Sequence, residues 1–591
     1  MVCFTASLRE NHGFMAFRAF AFLAVVSRPG SCCPGALCFV SPNYQIEKNH
    51  NRKETRNEKT IALILSVLLL AAFFTGCGGT ASDTPSGGSA GGKTDAKTEK
   101  VLNFGLEAFS DGIINPMNQT NTAWNCMRYG VGEALFKFSD SMVAGPWLAE
   151  SATHSDDYTV WTITLRDGIK FSNGDALTAT KVKESFEWAK TEGPNGTSGP
   201  QKYLSFDAEI VADDAARTVT ITLPKADDNL PGKLANPIME IVNVSATTDF
   251  DYKVIGTGPY MVKEAQPRVG YTMVKNPNYY EDVPYDTVNI IFLGLEAKAS
   301  ALQSGQVDLV ENVSIPSNIA LIKEDASLTY DSAPGVRTGF AWMNMDKGRP
   351  LSDKVLRQAI LMAIDNETIS NSNTIGNMYK AGFSVLPSNL DFGYENLVNP
   401  YKYDLDAAKK LLTDNGYTYE GDKLMKDGKQ VSLTYYSYDG RLLNEMTEAH
   451  VLYLTALGIN VDLKLSTSGD CWDQMGAGNF DLCNNNWTTV GTGDPTDYMK
   501  NWWGESSVTD TNFSRYQNDE YDALFAEYMS NFDPAVRKEC MQKMQQILID
   551  DAVAIIDGYW SSSFAYNKNV GTAHIHTADY YWLTNEITPA A

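Results

Sequence analysis

Two histidines near the carboxyl end carry the side chains best suited to hold a metal ion. His574 and His576 are one residue apart, so on an extended strand both imidazoles would point to the same side. Such a pair could hold a transition metal. A strand at the protein surface explains the same alternation without an ion. We favour that interpretation, and the sequence therefore predicts no metal ligands.

Catalytic motifs are missing or lie in an unsuitable context. Residues 87–91 read G-x-S-x-G, the pattern of a serine nucleophile elbow, but that motif requires a strand before it and a helix after it. Here it lies in a run of Gly, Ser, Thr, Asp and Lys without apolar periodicity. The sequence contains neither H-E-x-x-H nor a dinucleotide-binding glycine pattern. We therefore predict that the protein is not an enzyme and uses no cofactor.

The cysteine spacing argues against a zinc site. Of the nine cysteines, only Cys126, Cys471, Cys483 and Cys540 follow Cys77. Their spacing matches no Cys-x-x-Cys or Cys/His zinc motif. Buried free thiols are the simplest interpretation. A disulfide between Cys471 and Cys483, which an oxidising compartment would permit, stays open.

An apolar stretch ahead of Cys77 predicts export. Residues 61–74 are apolar apart from one serine, four basic residues precede them, and a Thr-Gly pair follows. This order is the layout of a secretory signal, and the stretch is shorter than the roughly 20 residues that span a bilayer. Residues 74–77 (FTGC) resemble a bacterial lipobox. The resemblance implies that Cys77 becomes the lipidated first residue after cleavage.

The predicted lipid site divides the chain into a leader, a tether and a body. We interpret residues 1–58 as a spurious extension of the reading frame or a removed leader, and residues 59–76 as the lipoprotein signal peptide. Residues 77–100 are then a lipidated flexible tether, because their Gly- and Ser-rich composition is typical of linkers.

The remaining chain is acidic and long. The total formal charge is −24, and because the first 76 residues carry +4, the 515 residues from Cys77 onward carry −28. This charge argues against nucleic acid or an anionic bilayer surface as a direct partner. A single core rarely exceeds about 250–300 residues, so we expect at least two lobes, in a monomer attached to the membrane by its lipid.

Strand and helix signals alternate along the body. Apolar alternation predicts strands at residues 158–165 and 288–293, and helical spacing predicts helices at 178–190, 352–365 and 404–415. Ser352 and Asp404 are expected to cap the last two helices. Strands alternating with helices predict a largely parallel α/β sheet.

Three blocks of this sequence resemble the bacterial extracellular solute-binding proteins of the dipeptide, oligopeptide and nickel importer family. The blocks are residues 162–185 (TITLRDGIKFSNGDALTATKVKES), 254–260 (VIGTGPY) and 480–499 (FDLCNNNWTTVGTGDPTDYM). In the second block, Gly256, Gly258 and Pro259 are expected to make a rigid turn in which the glycines are free to take positive φ. The resemblance implies an α/β, two-lobed, class II periplasmic-binding-protein-like fold with an extra small subdomain in the N-terminal half.

The resemblance also implies that the lobes are discontinuous in sequence. Lobe 1 would comprise residues 101–141, 251–337 and the C-terminal return 561–591. The small subdomain would occupy residues 142–250, and lobe 2 residues 338–560. A ligand would bind between the lobes, and hinge closure would bury it.

The third block implies candidate ligand-binding residues, because this segment lines the cleft in the family. Trp487, Asp494 and Tyr498 match the family pattern, and a tryptophan provides a flat apolar wall at little entropic cost. Peptide-binding members place an acidic residue three positions after the tryptophan, where this chain has Val490. Asp494 would take that role across a one-residue insertion.

Two further residues are candidates for the cleft. Arg337 precedes a predicted crossover strand and could pair with a ligand carboxylate, or it could be a surface cation. Trp472 is a second candidate wall, whereas Trp342 is expected in the core.

The sequence therefore predicts a lipid-anchored receptor on the extracytoplasmic face of the cell membrane. The resemblance implies that it captures oligopeptides for the permease subunits of an ABC importer. A receptor for nickel or a metal chelate is the alternative within the family. A secreted hydrolase or a sensory receptor is the alternative from another class.

Overall fold

A computed structural model describes residues 99–117, 120–192 and 199–591. The predicted leader, the signal peptide, Cys77 and all but the end of the tether lie outside the described residues. These described residues belong to one compact unit. In the described part of the chain, no helix is long and apolar enough to cross a membrane.

The described residues form strands distributed along the whole body. They are β1 (Val101–Leu106), β2 (Phe136–Phe138), β3 (Ala144–Pro146), β4 (Ala149–His154), β5 (Val160–Leu165), β6 (Glu209–Asp213), β7 (Thr218–Thr222), β8 (Tyr260–Gln266), β9 (Gly270–Lys275), β10 (Thr287–Phe292), β11 (Leu309–Glu311), β12 (Leu328–Met343), β13 (Tyr379–Lys380), β14 (Thr418–Glu420), β15 (Lys423–Lys426), β16 (Lys429–Gln430), β17 (Ser432–Tyr438), β18 (Asn460–Ser466), β19 (Leu482–Thr488), β20 (Ala554–Asn567), β21 (Val570–Thr572) and β22 (Thr588–Pro589).

The α-helices lie between these strands. They are α1 (Thr120–Arg128), α2 (Ala179–Glu192), α3 (Leu230–Lys233), α4 (Lys298–Gln303), α5 (Pro316–Glu324), α6 (Lys354–Ala363), α7 (Asn366–Ser370), α8 (Leu405–Asp414), α9 (Leu443–Ala456), α10 (Ser468–Ala477), α11 (Thr496–Met499), α12 (Asp519–Ser530) and α13 (Pro534–Asp550).

One large sheet runs through the molecule, in the order β18-β17-β19-β12-β20-β11-β1-β10-β9-β8, with β13 beside β20. Strand β1 is parallel to β10 and β11, and β17 is parallel to β18 and β19. The central strands β12 and β20 run antiparallel along most of their length. The prediction of a largely parallel sheet is therefore wrong, because β12 is antiparallel to both β19 and β20, and β9 is antiparallel to both β8 and β10.

Separate apolar clusters fill the two halves of the sheet. Phe104 and Val288 are fully buried in a cluster around β1 and β10. Leu356 and Leu433 are buried in another around α6 and β17. The long strands β12 and β20 connect the two halves, so each half has its own core.

A separate four-stranded antiparallel sheet has the order β4-β5-β7-β6. Its inner face buries Trp161, Ile163 and Val219. The helix predicted at residues 178–190 is α2, which buries Val182 and Phe186 in the same cluster. This sheet lies inside the predicted small subdomain, whose borders stay a prediction.

Three local predictions differ from the structure. Asp353, not Ser352, caps α6, since its carboxylate accepts the Val355 N–H at 2.9 Å; Asp404 caps α8 as predicted. A second difference concerns His574 and His576, which lie in irregular chain after β21 rather than on a strand.

The third difference concerns the glycines of the VIGTGPY block, which are required for a close approach of two chain segments rather than for positive φ. A Cβ on Gly256 would lie 2.1 Å from the Val131 carbonyl oxygen, and one on Gly258 would lie 2.3 Å from the Gly130 carbonyl oxygen. Both distances are far below contact, so any larger residue would push the segments apart.

Candidate functional site

A cavity of about 320 Å³ lies between residues of the N-terminal half and the strands and loops of the C-terminal half. Its walls contain all five residues that the sequence proposed as ligand contacts. The lining residues are Trp124, Lys202, Tyr203, Asn236, Arg337, Tyr438, Trp472, Asn485, Asn486, Trp487, Thr488, Thr489, Gly491, Thr492, Asp494, Asp497, Tyr498 and Tyr580.

Aromatic rings form one wall of the cavity. Trp487, at the end of β19, meets Trp472 of α10 edge-on, with ring centroids 5.5 Å apart. Tyr498 lies 6.3 Å from Trp487, measured between centroids. Behind them Trp342 is fully buried, as predicted. The wall is held by packing on the core, which favours contact with an apolar part of a ligand at little entropic cost.

An irregularity in β12 places Arg337 at the cavity. The pairing between β12 and β20 shifts register between Pro334 and Arg337, and such bulges redirect the side chain that follows. Arg337 is 8% exposed, so the alternative of a surface cation is wrong. Its Nε donates to Asp579 Oδ2 at 3.3 Å, and its guanidinium carbon lies 5.6 Å from the ring centroid of Trp124.

Asp579 forms ion pairs with more than one arginine. Arg128 Nη2 lies 3.3 Å from the same oxygen, Asp579 Oδ2. Burial raises the pKa of Asp579, but Arg337, Arg128 and Arg441 outweigh that effect and hold it below its usual range. Burial, together with the charge of nearby Arg337, lowers the pKa of Arg441 to about 10. Three guanidiniums around one carboxylate give this side of the site an excess of positive charge.

Sequence reasoning did not identify Arg128, Arg441 or Asp579. Arg128 and Asp579 are 451 residues apart, and no motif connects them. Together with Arg441 they border a smaller cavity of about 30 Å³. Only the return of the C-terminal chain brings these groups together.

Asp494 lines the cavity, but its oxygens already have partners. Oδ1 accepts the Thr496 N–H at 2.7 Å, and Oδ2 accepts the Tyr528 hydroxyl at 2.7 Å. Arg537 Nη2 donates to Oδ2 at 3.1 Å. Arg537 also pairs with Asp228, which follows β7 in the N-terminal half. Asp494 therefore belongs to a contact between the two halves of the molecule.

Buried polar atoms in three cavity-lining residues of β19 have no partner among the described residues. They are Asn485 Nδ2, Asn486 Oδ1 and Thr488 Oγ1. The remaining amide atoms are engaged: Asn485 Oδ1 accepts the Tyr438 hydroxyl at 3.0 Å, and Asn486 Nδ2 donates to the Tyr379 hydroxyl at 3.1 Å. A buried polar atom without a hydrogen bond costs about 1–3 kcal/mol. Asparagine, threonine and charged side chains among the lining residues suit the cavity to a polar ligand.

Comparison with known proteins matches this chain to one family. The family model described as bacterial extracellular solute-binding proteins, family 5, middle, matches residues 144–510. A probable D,D-dipeptide-binding periplasmic protein, DdpA of Escherichia coli, is 29% identical over 437 residues, covering 72% of this chain and 80% of the relative. The oligopeptide-binding protein AppA of Bacillus subtilis is 24% identical over 519 residues, covering 83% of this chain and 91% of the relative.

Solved structures share the fold. The nickel ABC transporter structure from Bacillus halodurans has a TM-score of 0.69 at 24% identity, covering 83% of this chain and all of its own. NikA from Brucella suis in complex with Fe(III)-EDTA has a TM-score of 0.74 at 21% identity with the same coverage. This likeness confirms the predicted two-lobed α/β fold.

The matched relatives are binding proteins of transporters rather than enzymes, and the family acts outside the cytoplasm. The resemblance stated from the sequence blocks is thereby confirmed. With the family model matching residues 144–510, this chain belongs to the bacterial extracellular solute-binding proteins, family 5, the substrate-binding components of ABC importers for peptides or nickel chelates.

Proposed function

We propose that this protein captures a short peptide between its lobes and delivers it to an ABC permease while a lipid on Cys77 holds it at the membrane. The observation that carries the proposal is the cavity around Trp487 and Arg337. Its volume, about 320 Å³, is near the lower end of the range of 300–1,000 Å³ that is typical of small-molecule sites. A peptide of two or three residues suits this size.

The chemistry of the walls matches a peptide. The backbone N–H and C=O groups of a peptide would hydrogen-bond polar side chains that line the cavity, among them Asn485, Asn486 and Thr488. Arg337 would receive the terminal carboxylate, because the arginines exceed the carboxylates at this side of the site. The Trp472 and Trp487 rings would cover side chains of varied shape. No bond of the ligand is made or broken in this function.

Contacts around the cavity support closure of the lobes on a ligand. Asn229 Nδ2 donates to the Thr492 carbonyl at 3.1 Å, and Asn236 Nδ2 to the Gly491 carbonyl at 3.0 Å. Lys202 pairs with Asp497 at 3.3 Å. These contacts join the predicted subdomain, residues 142–250, to the loop after β19 and to helix α11 in predicted lobe 2, residues 338–560. We keep these borders as part of the proposal, with hinge motion at the crossover strands.

A nickel or metal-chelate receptor is the second candidate. The nickel-binding protein NikA of Staphylococcus aureus is 27% identical to this chain over 347 residues, covering 58% of the chain and 66% of the relative. No histidine or cysteine is among the cavity-lining residues that the structure describes. An ion would therefore have to arrive inside a chelator, whose carboxylates could pair with Arg337.

Mass spectrometry of the small molecules that copurify with the protein distinguishes the two candidates. We expect peptides, and refolded protein should melt at a higher temperature with di- and tripeptide mixtures than with a nickel–histidine chelate. A ligand at 100 times its Kd adds about 2.7 kcal/mol to the free energy of unfolding. If a metal chelate copurifies instead, and only the chelate raises the melting temperature, the second candidate is the correct function.

The lipid anchor is tested separately from ligand binding. Cells expressing the wild type should incorporate labelled palmitate into the protein and retain it in the membrane fraction, since two acyl chains anchor stably. Cys77→Ser should take up no label and appear in the soluble extracytoplasmic fraction. Equal labelling of both proteins would show that Cys77 is not the lipid site.

A further inference from the structure

Three side chains from distant parts of the chain meet at the surface beside β2. Asp140 lies in the turn between β2 and β3, and His574 and His576 follow β21. His574 Nε2 is 3.1 Å from Asp140 Oδ2, and His576 Nδ1 is 3.8 Å from Asp140 Oδ1. One candidate ligand atom from each residue lies within 4.8 Å of the other two.

These separations are close to those of a metal site. With metal–nitrogen and metal–oxygen distances of 2.0–2.2 Å, the ligand atoms around a tetrahedral zinc ion lie about 3.3–3.6 Å apart. His574 and Asp140 are exposed, so small rotations of their side chains can adjust the distances.

A fourth residue orients His576 for this role. His576 Nε2 lies 2.9 Å from Glu586 Oε2, and the His576 side chain is 8% exposed. With the proton assigned to Nε2, beside Glu586, the lone pair on Nδ1 is available on the side of Asp140. A carboxylate that accepts from the second nitrogen of an imidazole is typical of histidines that bind metal. Lys137 Nζ in turn lies 3.5 Å from Glu586 Oε1 and holds that carboxylate.

We propose that His574, His576 and Asp140 bind one divalent transition-metal ion, with Zn²⁺ as the reference ion. Two imidazoles and one carboxylate select zinc, nickel or copper, whereas calcium and magnesium prefer sites made of oxygen ligands. Water would complete the coordination. The ion would attach the C-terminal segment to the β2–β3 turn, 434 residues earlier in the chain, where the Thr577 N–H already donates to Asp140 Oδ1 at 3.2 Å.

Zinc binding by the full chain, measured by equilibrium dialysis, tests the proposal. The variants His574→Ala and Asp140→Asn each remove one ligand from an exposed position, and the amide oxygen introduced by Asp140→Asn still accepts the Thr577 N–H. His154→Ala removes an exposed histidine elsewhere and is the control. Cysteines and histidines in residues 1–98 contribute equally to every variant, so the comparison isolates this site.

The wild type and His154→Ala should bind one equivalent of Zn²⁺ more than His574→Ala and Asp140→Asn. Zinc should also raise the melting temperature of the wild type, and not that of the two site variants, above the value measured in EDTA. Equal stoichiometry in all four proteins, or an equal zinc-dependent shift, would overturn the proposal. The peptide response should be the same in all four proteins, because these residues are not among those lining the solute cavity.

Discussion

The guanidinium of Arg337 lies 3.3 Å from the carboxylate of Asp579, although 242 residues separate them in the chain. The contact joins the crossover strand β12 to the C-terminal segment, and both residues belong to predicted lobe 1. Asp579 also receives Arg128. One carboxylate therefore permits several guanidiniums to stay charged beside the ligand cavity.

Asp579→Asn should strongly destabilise the protein. Removing one partner of a buried ion pair costs about 3–5 kcal/mol, because the remaining charge stays buried without compensation. Urea unfolding of the wild type and the variant measures the difference. The control is Asp111→Asn, whose partner Arg268 is 75% exposed, and no measurable change is expected there. An Asp579→Asn protein as stable as the control would contradict this account of the arginine cluster.

Because of Glu133, the free energy of unfolding should fall as the pH rises from about 4.5 to 7. Burial raises the pKa of Glu133 from its usual 4.5 to about 7, although hydroxyls of Thr257, Tyr280 and Tyr279 donate to it. When the pKa of a carboxyl group is higher in the folded than in the unfolded protein, the group stabilises the fold. This contribution to the free energy of unfolding is fully present below the unfolded pKa, and it is lost as the pH rises through the folded pKa.

The loss should amount to roughly 3 kcal/mol, at about 1.4 kcal/mol for each pKa unit. Glu133→Gln carries no charge and should lose this pH dependence, so its free energy of unfolding at pH 8 should exceed that of the wild type. Glu209→Gln, on the exposed face of β6, should follow the wild type. Denaturant unfolding between pH 4 and 8 measures the three curves, and parallel curves for the wild type and Glu133→Gln would exclude Glu133 as the source.

Trp487→Ala should weaken ligand binding at least about 30-fold, since truncation of a central aromatic contact typically costs 2 kcal/mol or more. Isothermal titration with the copurified ligand measures the change. Trp503→Ala is the matched control, because Trp503 packs against Phe525 at 5.2 Å between ring centroids and does not line the cavity. If Trp487→Ala binds the ligand with unchanged affinity, the aromatic wall is not part of the binding site.

Arg537→Gln should favour an open arrangement of the lobes. Arg537 pairs with Asp228 of the N-terminal half and with Asp494 of the C-terminal half. If the variant destabilises the closed form by about 1.4 kcal/mol relative to the open form, ligand binding should weaken tenfold. Small-angle scattering in the presence of ligand should then give a larger radius of gyration than for the wild type. Lys538→Gln, at the neighbouring position, removes only the exposed pair with Asp391. If both variants bind and scatter like the wild type, the Arg537 contacts do not control closure.

Local signals in the sequence predicted many elements correctly. The capped helix at Asp404 and the alternating strand at β5 depend on neighbouring residues, so their patterns are visible without a fold. The choice between Ser352 and Asp353 as a cap could not be made in this way. Two adjacent residues have similar capping propensities, and the backbone of the preceding turn decides which one caps.

The sequence by itself determined the family, the alternation of strands and helices, and the segment around Trp487 that borders the cavity, because each depends on residues close together in the chain. Only the tertiary structure decided the mixed order of the large sheet, the arginines gathered around Asp579, and the meeting of His574 and His576 with Asp140. These features join residues hundreds of positions apart. Such contacts form only when the C-terminal chain packs against the first strands, and no pattern of neighbouring residues predicts this packing.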